Sequence, residues 1–254
     1  MFRHLAAGRL RGETRELAGV TIASAGSEFQ MFNAAFFNSP IEDQVDLDRR
    51  IALAKVVFGA RNLPWSLWVC EELLAEPLRK CLGRSCERAG LHLGSEMPAM
   101  AGDRIAGVAV TGVAVNNSEL EIRPVQAQGP LNEFCRIGAS CFRVPLPWFE
   151  EIFDSAARLS GRTMAAWIGY YKGKAVSTVA LVESPDVIGI YNLATLTPFR
   201  ERGFGEAMLR YAVCKNLARG AEKPIVLQST RQGLRLYERL GFRSVGRILV
   251  FPSR

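Results

Sequence analysis

Apolar and polar positions alternate in a way that predicts a mixed α/β chain, with strands and helices interleaved from the start. Residues 19–24 and 31–37 are short, apolar or β-branched runs and read as strands. In 41–58, Ile41, Val45, Leu47, Ile51, Leu53, Ala54 and Phe58 recur at helical spacing. A strand is predicted at 67–70, then a helix over 76–89 closed by Gly90, then strands at 91–96 and 107–115. Asn116, Asn117 and Ser118 form a polar break, which predicts a boundary between a 1–118 α/β domain and a 119–254 domain.

Beyond the break the pattern predicts a strand at Leu120–Pro124 and helices over 129–142 and 147–161. Three strands follow at 164–170, 175–183 and 187–195, turned by Lys172-Gly173 and by Ser184-Pro185-Asp186. A helix over 203–219, a strand at Ile225–Gln228, a helix over 232–240 stopped by Gly241 and a closing strand at 244–251 complete the chain. No repeat unit emerges.

Composition narrows the function classes. Hydrophobic residues make up 48% and charged residues 22% of the 254 positions, which suits a soluble protein with a sizeable core. The longest apolar run is too short to span a bilayer, and the N-terminus lacks the continuous apolar stretch of a secretory signal. The six cysteines (70, 81, 86, 135, 141, 214) show no CxxC pair, and His4 and His92 are the only histidines. Both facts argue against a metal site, and the thiols read as reduced residues of a cytoplasmic protein. Charge is unevenly spread. Residues 1–118 hold 13 basic and 13 acidic side chains, while the rest hold 19 and 12. The excess points to an anionic partner of the second half: a phosphorylated small molecule, an acidic membrane surface or nucleic acid. From Arg200 onward there are 12 basic and 4 acidic residues, interleaved with core positions and without a nucleic-acid motif.

The most informative segment runs IYNLATLTPFRERGFGEAMLRY from Ile190 to Tyr211. A strand ends, a short turn carries Arg200, Arg202, Gly203 and Gly205, and a helix begins at once. Free backbone N–H groups at a helix start attract a pyrophosphate, and glycines let it approach closely. Met208 stands where a dinucleotide fingerprint needs a third glycine, and no P-loop Lys-Ser/Thr follows. By residue pattern alone the segment is either such a cradle or a charged turn before a surface helix.

Arg200-Glu201-Arg202-Gly203-Phe204-Gly205, with Leu236-Tyr237-Glu238-Arg239-Leu240-Gly241-Phe242 further on, resembles the two signature segments of the GCN5-related N-acetyltransferase (GNAT) superfamily. The first half, which carries neither segment, resembles the degenerate N-terminal domain of tandem members. The resemblance implies a GNAT fold in 119–254 and direct acyl transfer from acetyl-CoA, a co-substrate, to a primary amine of a small molecule or peptide, without metal. It implies that Leu193, Ala194 and Thr195 pair with the pantetheine arm, and that Arg200, Arg202, Gly203, Phe204, Gly205 and Glu206 cradle the pyrophosphate. Tyr237 is the implied general acid that protonates the leaving thiolate. No general base is assigned: the strand Tyr191-Asn192-Leu193-Ala194-Thr195 has no carboxylate, and Glu150 and Glu151 lie in the acceptor region beside Arg143, Trp148 and Phe149. Cys141 and Cys214 have no neighbouring histidine to activate them. A CoA-binding or small-molecule-sensing module without turnover is the competing expectation.

Overall fold

A computed structural model describes residues 1–7, 9–103, 119–217 and 223–253. The elements in chain order are α1 (Phe2–Ala6), β1 (Glu13–Leu17), β2 (Val20–Ser24), β3 (Asn33–Phe37), α2 (Gln44–Gly59), β4 (Ser66–Cys70), α3 (Glu76–Arg88), β5 (Ser95–Gly102) and β6 (Leu120–Pro124). They continue as α4 (Gln128–Phe142), α5 (Leu146–Ile152), β7 (Met164–Tyr171), β8 (Lys174–Glu183), β9 (Ile188–Thr195), α6 (Phe204–Leu217), β10 (Ile225–Gln228), α7 (Leu234–Arg239) and β11 (Arg243–Pro252). No helix among the described residues is long and apolar enough to cross a membrane.

The contacts divide into two units, neither of them contiguous in sequence. One holds Met1–Ala99, Gln228–Arg231 and Ser244–Arg254; the other holds Met100–Leu227 and Gln232–Arg243. A single cut at 118/119 does not describe this division, because the closing strand returns to the first unit. The polar break at 116–118 and the strand expected at 107–115 lie outside the described residues.

In the first unit the strand order is β1-β2-β3-β4-β11-β5. β2 and β3 pair antiparallel, β3 and β4 parallel, and β4 pairs antiparallel with β11 from Ser66↔Pro252 to Cys70↔Ile248. Asp43 caps α2 by accepting from the Asp46 N–H at 2.9 Å. Leu47, Ile51, Ala54 and Phe58 then fall on one face and are buried. Val45, expected on that stripe, lies 79% exposed. Arg50 is buried instead, donating to the carbonyls of Gly19, Ser39 and Pro40 at 2.8–3.1 Å and pairing with Asp46 at 2.6 Å. Gly90, at φ +84°, ends α3 as its left-handed stop.

In the second unit the order is β10-β9-β8-β7-β6, antiparallel throughout except for the parallel pair β9–β10. Lys172 and Gly173, at φ 49° and 75°, make the β7–β8 turn with the twist a tight hairpin needs. Phe204, Met208, Leu209, Ala212 and Val213 bury one face of α6 against Val179, Leu181, Ile188, Ile190, Ile225 and Leu227. Each such large side chain contributes about 1.5–3 kcal/mol of apolar burial. The helix expected over 147–161 stops at Ile152, where Phe153 leaves helical geometry at ψ 65°. Its ring stays buried against Phe134 and Phe149, so packing continues where the helix does not.

Candidate functional site

The site is built where β9 parts from β10. Their parallel pairing registers Ile188 with Ile225 and Gly189 with Val226, and stops there. β9 runs on to Thr195, so among the described residues Ala194 and Thr195 are paired on the β8 side alone, while Leu193 falls in the β8–β9 register slip. A free strand edge of this kind offers N–H and C=O groups to an extended ligand.

A bulge sets the shape of that edge. The β8–β9 register slips between Thr178 and Ala180, and Asn192 takes a left-handed φ of 50°. Two buried hydroxyls of β8 satisfy the displaced carbonyls: Ser177 donates to the Ala194 carbonyl at 2.7 Å, and Thr178 to that of Asn192 at 2.9 Å. Ser177 Oγ also lies 2.8 Å from Thr195 Oγ1.

After Thr195 a single 3-10 turn, Thr197–Phe199, leads to Arg200. Glu201 and Gly203 both adopt positive φ, 63° and 76°, which folds the chain back so that α6 opens at Phe204. The Ala207 N–H reaches the Gly203 carbonyl at 2.9 Å, which leaves the N–H groups of the first turn outside the intrahelical ladder. Phe204 is buried beneath this turn, its ring 5.4 Å from that of Tyr171. At Gly205 an added Cβ would stand 3.7 Å from Thr195 Oγ1 and 3.8 Å from Leu236 Cδ2. The strand end, the glycine turn and α7 therefore meet at one place.

The charged members have mixed surroundings. Arg200 donates to the Thr195 carbonyl at 3.0 Å and approaches Gln232 at 3.5 Å, so its guanidinium ties the turn to the strand end. Arg202 lies over the rings of Tyr171 and Phe199, 5.4 and 5.9 Å from their centroids. Glu206 pairs with Arg210 at 2.9 Å and Arg239 at 3.2 Å, joining α6 to α7. Burial opposes its charge, yet those hydrogen bonds hold its carboxyl below the ordinary range.

Tyr237 projects from α7 into the core, 7% exposed, its ring edge-on to Phe242 at 5.7 Å. Burial pushes its phenol well above the usual value, so it holds its proton throughout the neutral range. A group in that state can donate a proton and cannot serve as a base.

Among the residues expected on the acceptor side, Phe149 is buried and Trp148 is 37% exposed. Arg143 ends α4 in the left-handed conformation, and Glu150 is exposed. Burial raises the Cys141 thiol although Arg200 pulls the other way, so it lacks thiolate character. All six cysteines are free, and no cluster of three metal-ligating side chains occurs among the described residues. Asn192 and the hydroxyls of Ser177 and Thr178 went unmarked in the sequence. A strand-averse Asn inside an apolar run was the available signal of the bulge.

Residues 162–244 match the family model described as an acetyltransferase (GNAT) domain, a span that takes in both the turn at 200–205 and Tyr237. The match is to a GNAT domain over about a third of the chain. The chain's fold is also that of solved GNAT proteins. A GCN5-related N-acetyltransferase from Kribbella flavida superposes with a TM-score of 0.73 at 15% identity, over 98% of this chain and 91% of that one. One from Sphaerobacter thermophilus gives 0.59 at 14% identity, over 95% and 77%. A tandem GNAT protein from the clavulanic acid biosynthesis pathway gives 0.58 at 10% identity, over 87% and 74%. At these identities the likeness is one of fold. No curated protein matches the chain. The GNAT domain supports acyl transfer as the general class of activity.

Proposed function

We propose that the protein is an acyl-CoA-dependent N-acyltransferase that moves an acetyl group from acetyl-CoA directly to a primary amine of a small molecule or peptide. The observation that carries the reading is the unpaired edge of β9 at Leu193–Thr195, leading without interruption into the glycine turn and the start of α6. The pantetheine arm would add to that edge as a further strand. The pyrophosphate would meet the N–H groups of Gly203, Phe204, Gly205 and Glu206, with Arg202 beside it. Arg200 would serve mainly by holding the strand end in place.

In this reading the amine nitrogen attacks the thioester carbonyl carbon and forms a tetrahedral adduct. The C–S bond then breaks, the thiolate takes the Tyr237 proton, and the nitrogen releases a proton to water. Tyr237 recovers its proton from solvent, and the products are the amide and free CoA. Burial keeps the Tyr237 phenol protonated at neutral pH, so its proton is present for the donor step, while the same burial makes it a weaker acid. The first unit is read as a degenerate GNAT-like partner that serves as scaffold. Acetyl-CoA is a co-substrate, no metal takes part, and neither nucleic acid nor a membrane is a partner of this cytoplasmic enzyme.

Calorimetric titration with acetyl-CoA tests the reading, beside Gly203→Glu and Tyr237→Phe. Gly203→Glu should abolish binding. Tyr237→Phe should bind normally and lose about 10²- to 10⁴-fold in turnover. Acetyl-CoA binding with no transfer to any amine, in both wild type and Tyr237→Phe, would favour a sensing module. A folded wild type that does not bind acetyl-CoA ends the proposal.

A further inference from the structure

We infer that Asn192 positions the acceptor, and that the acceptor is an amine with a carbonyl group on the neighbouring carbon, as in an α-amino amide. The inference rests on the acyltransferase reading and specifies the other half of the same site.

Asn192 is in an unusual state. Its backbone sits at φ 50°, on the bulge of β9, and its carbonyl is taken by the Thr178 hydroxyl. Its side-chain Oδ1 and Nδ2 are both buried, and neither has a hydrogen-bond partner among the described residues. Each such group costs about 1–3 kcal/mol. The backbone alone does not explain this. Asn tolerates the left-handed region, but glycine occupies it with no amide left stranded.

The surroundings define what would satisfy the amide. A Cβ on Gly138 would fall 2.9 Å from Asn192 Oδ1 and 2.5 Å from the Phe149 ring. Gly138 on α4 therefore lets the amide and the aromatic ring come together on the side of β9 where α4 lies. Leu193, the first of the three edge residues read against the pantetheine arm, is the next residue along the strand. A ligand that completes Asn192 must give an N–H to Oδ1 and accept one at Nδ2, and it must be uncharged enough to sit against Phe149. An amine with an adjacent carbonyl does both. A neutral amide also has a chemical advantage over a carboxylate here. A carboxylate would stabilise the protonated ammonium, which has no lone pair to attack with. Asn192 can hold the free amine without favouring its protonation.

The test compares glycinamide with isobutylamine, which has nearly the same shape but no carbonyl, as acceptors for acetyl-CoA. Rates are expressed per neutral amine. Wild type should favour glycinamide by about tenfold or more in kcat/KM, the worth of one buried hydrogen bond. Asn192→Gly keeps the backbone conformation open, so it should fold, bind acetyl-CoA in calorimetry as wild type does, and lose the preference. Asn192→Asp should shift the rising limb of kcat/KM to higher pH, because its carboxylate stabilises the ammonium. If Asn192 were merely structural, Asn192→Gly would lower the unfolding midpoint and leave the preference intact, which overturns the inference. So does a wild type that binds acetyl-CoA but prefers neither amine or uses neither. Failure of wild type to bind acetyl-CoA would sink the acyltransferase reading first, and this inference with it.

Discussion

Replacing Gly203 and Gly205 with alanine, one at a time, should have opposite effects although the two lie one residue apart on either side of Phe204. Gly203 sits at φ +76°, where an L side chain costs about 1–2 kcal/mol, so Gly203→Ala should destabilise by about 1 kcal/mol or more. Gly205 has no such constraint. A methyl there would meet Thr195 Oγ1 at 3.7 Å and Leu236 Cδ2 at 3.8 Å, both ordinary contact distances. Removing backbone freedom from the unfolded chain should then stabilise Gly205→Ala by about 0.4–1 kcal/mol. The variants should differ by about 1.5–3 kcal/mol, which at a urea dependence near ~2 kcal/mol/M separates their midpoints by about 1 M. Equilibrium urea unfolding followed by fluorescence measures the gap. Equal midpoints, or Gly203→Ala the more stable of the pair, would refute the assignment of turn geometry to the first glycine and mere proximity to the second.

Alkaline stability should report two buried thiols. Burial pushes Cys86 and Cys135 up to about 12 from an ordinary value of 9.0. The unfolded chain gives up these protons first, so their contribution is complete below about pH 9 and is lost as pH rises through the folded value near about 12. The slope is up to ~1.4 kcal/mol per pH unit for each thiol, and Cys86→Ala or Cys135→Ala should flatten it; a wild-type urea midpoint unchanged from about pH 8 to about pH 10.5 would contradict this. Arg50→Met should cost about 3 kcal/mol or more, because it strands the carbonyls of Gly19, Ser39 and Pro40 and removes a partner of Asp46. A loss under about 1 kcal/mol in thermal unfolding would show that the buried guanidinium is dispensable.

Much of the fold was legible because local rules and burial agreed. β6 and β10 fall at Leu120–Pro124 and Ile225–Gln228 as the pattern predicted, and the Lys172-Gly173 turn has the positive φ values its residues favour. The strand expected at 91–96 instead begins at Ser95 and runs to Gly102. Leu91 is buried through a lone bridge to Ser253, so its apolarity reflected packing and not strand membership. β1 escaped notice because ETREL buries no residue and pairs on the β2 side, so it carries no hydrophobic period. At the site, the glycine turn and Tyr237 could be found by motif, since backbone geometry and a phenol are tied to residue type. The bulge at Asn192 could not, because it depends on hydroxyls supplied by a different strand, Ser177 and Thr178.

The route of β11 bears on how the chain is made. Its partners are β4, where Ser66 meets Pro252, and β5, just before which the Gly94 N–H reaches the Val250 carbonyl at 2.9 Å. Trp65 and Ser253 exchange hydrogen bonds at 2.7 and 2.9 Å across 188 residues of sequence. During synthesis, then, the portion that emerges first stays incomplete until nearly everything after it has been translated. Until then β4 and β5 expose unpaired edges, a template for pairing with another nascent chain. Ribosomal order and folding order are thus opposed in this half of the molecule. A slow translational pause before residue 244 would lengthen the period of exposure, whereas rapid completion protects the newborn protein from aggregation.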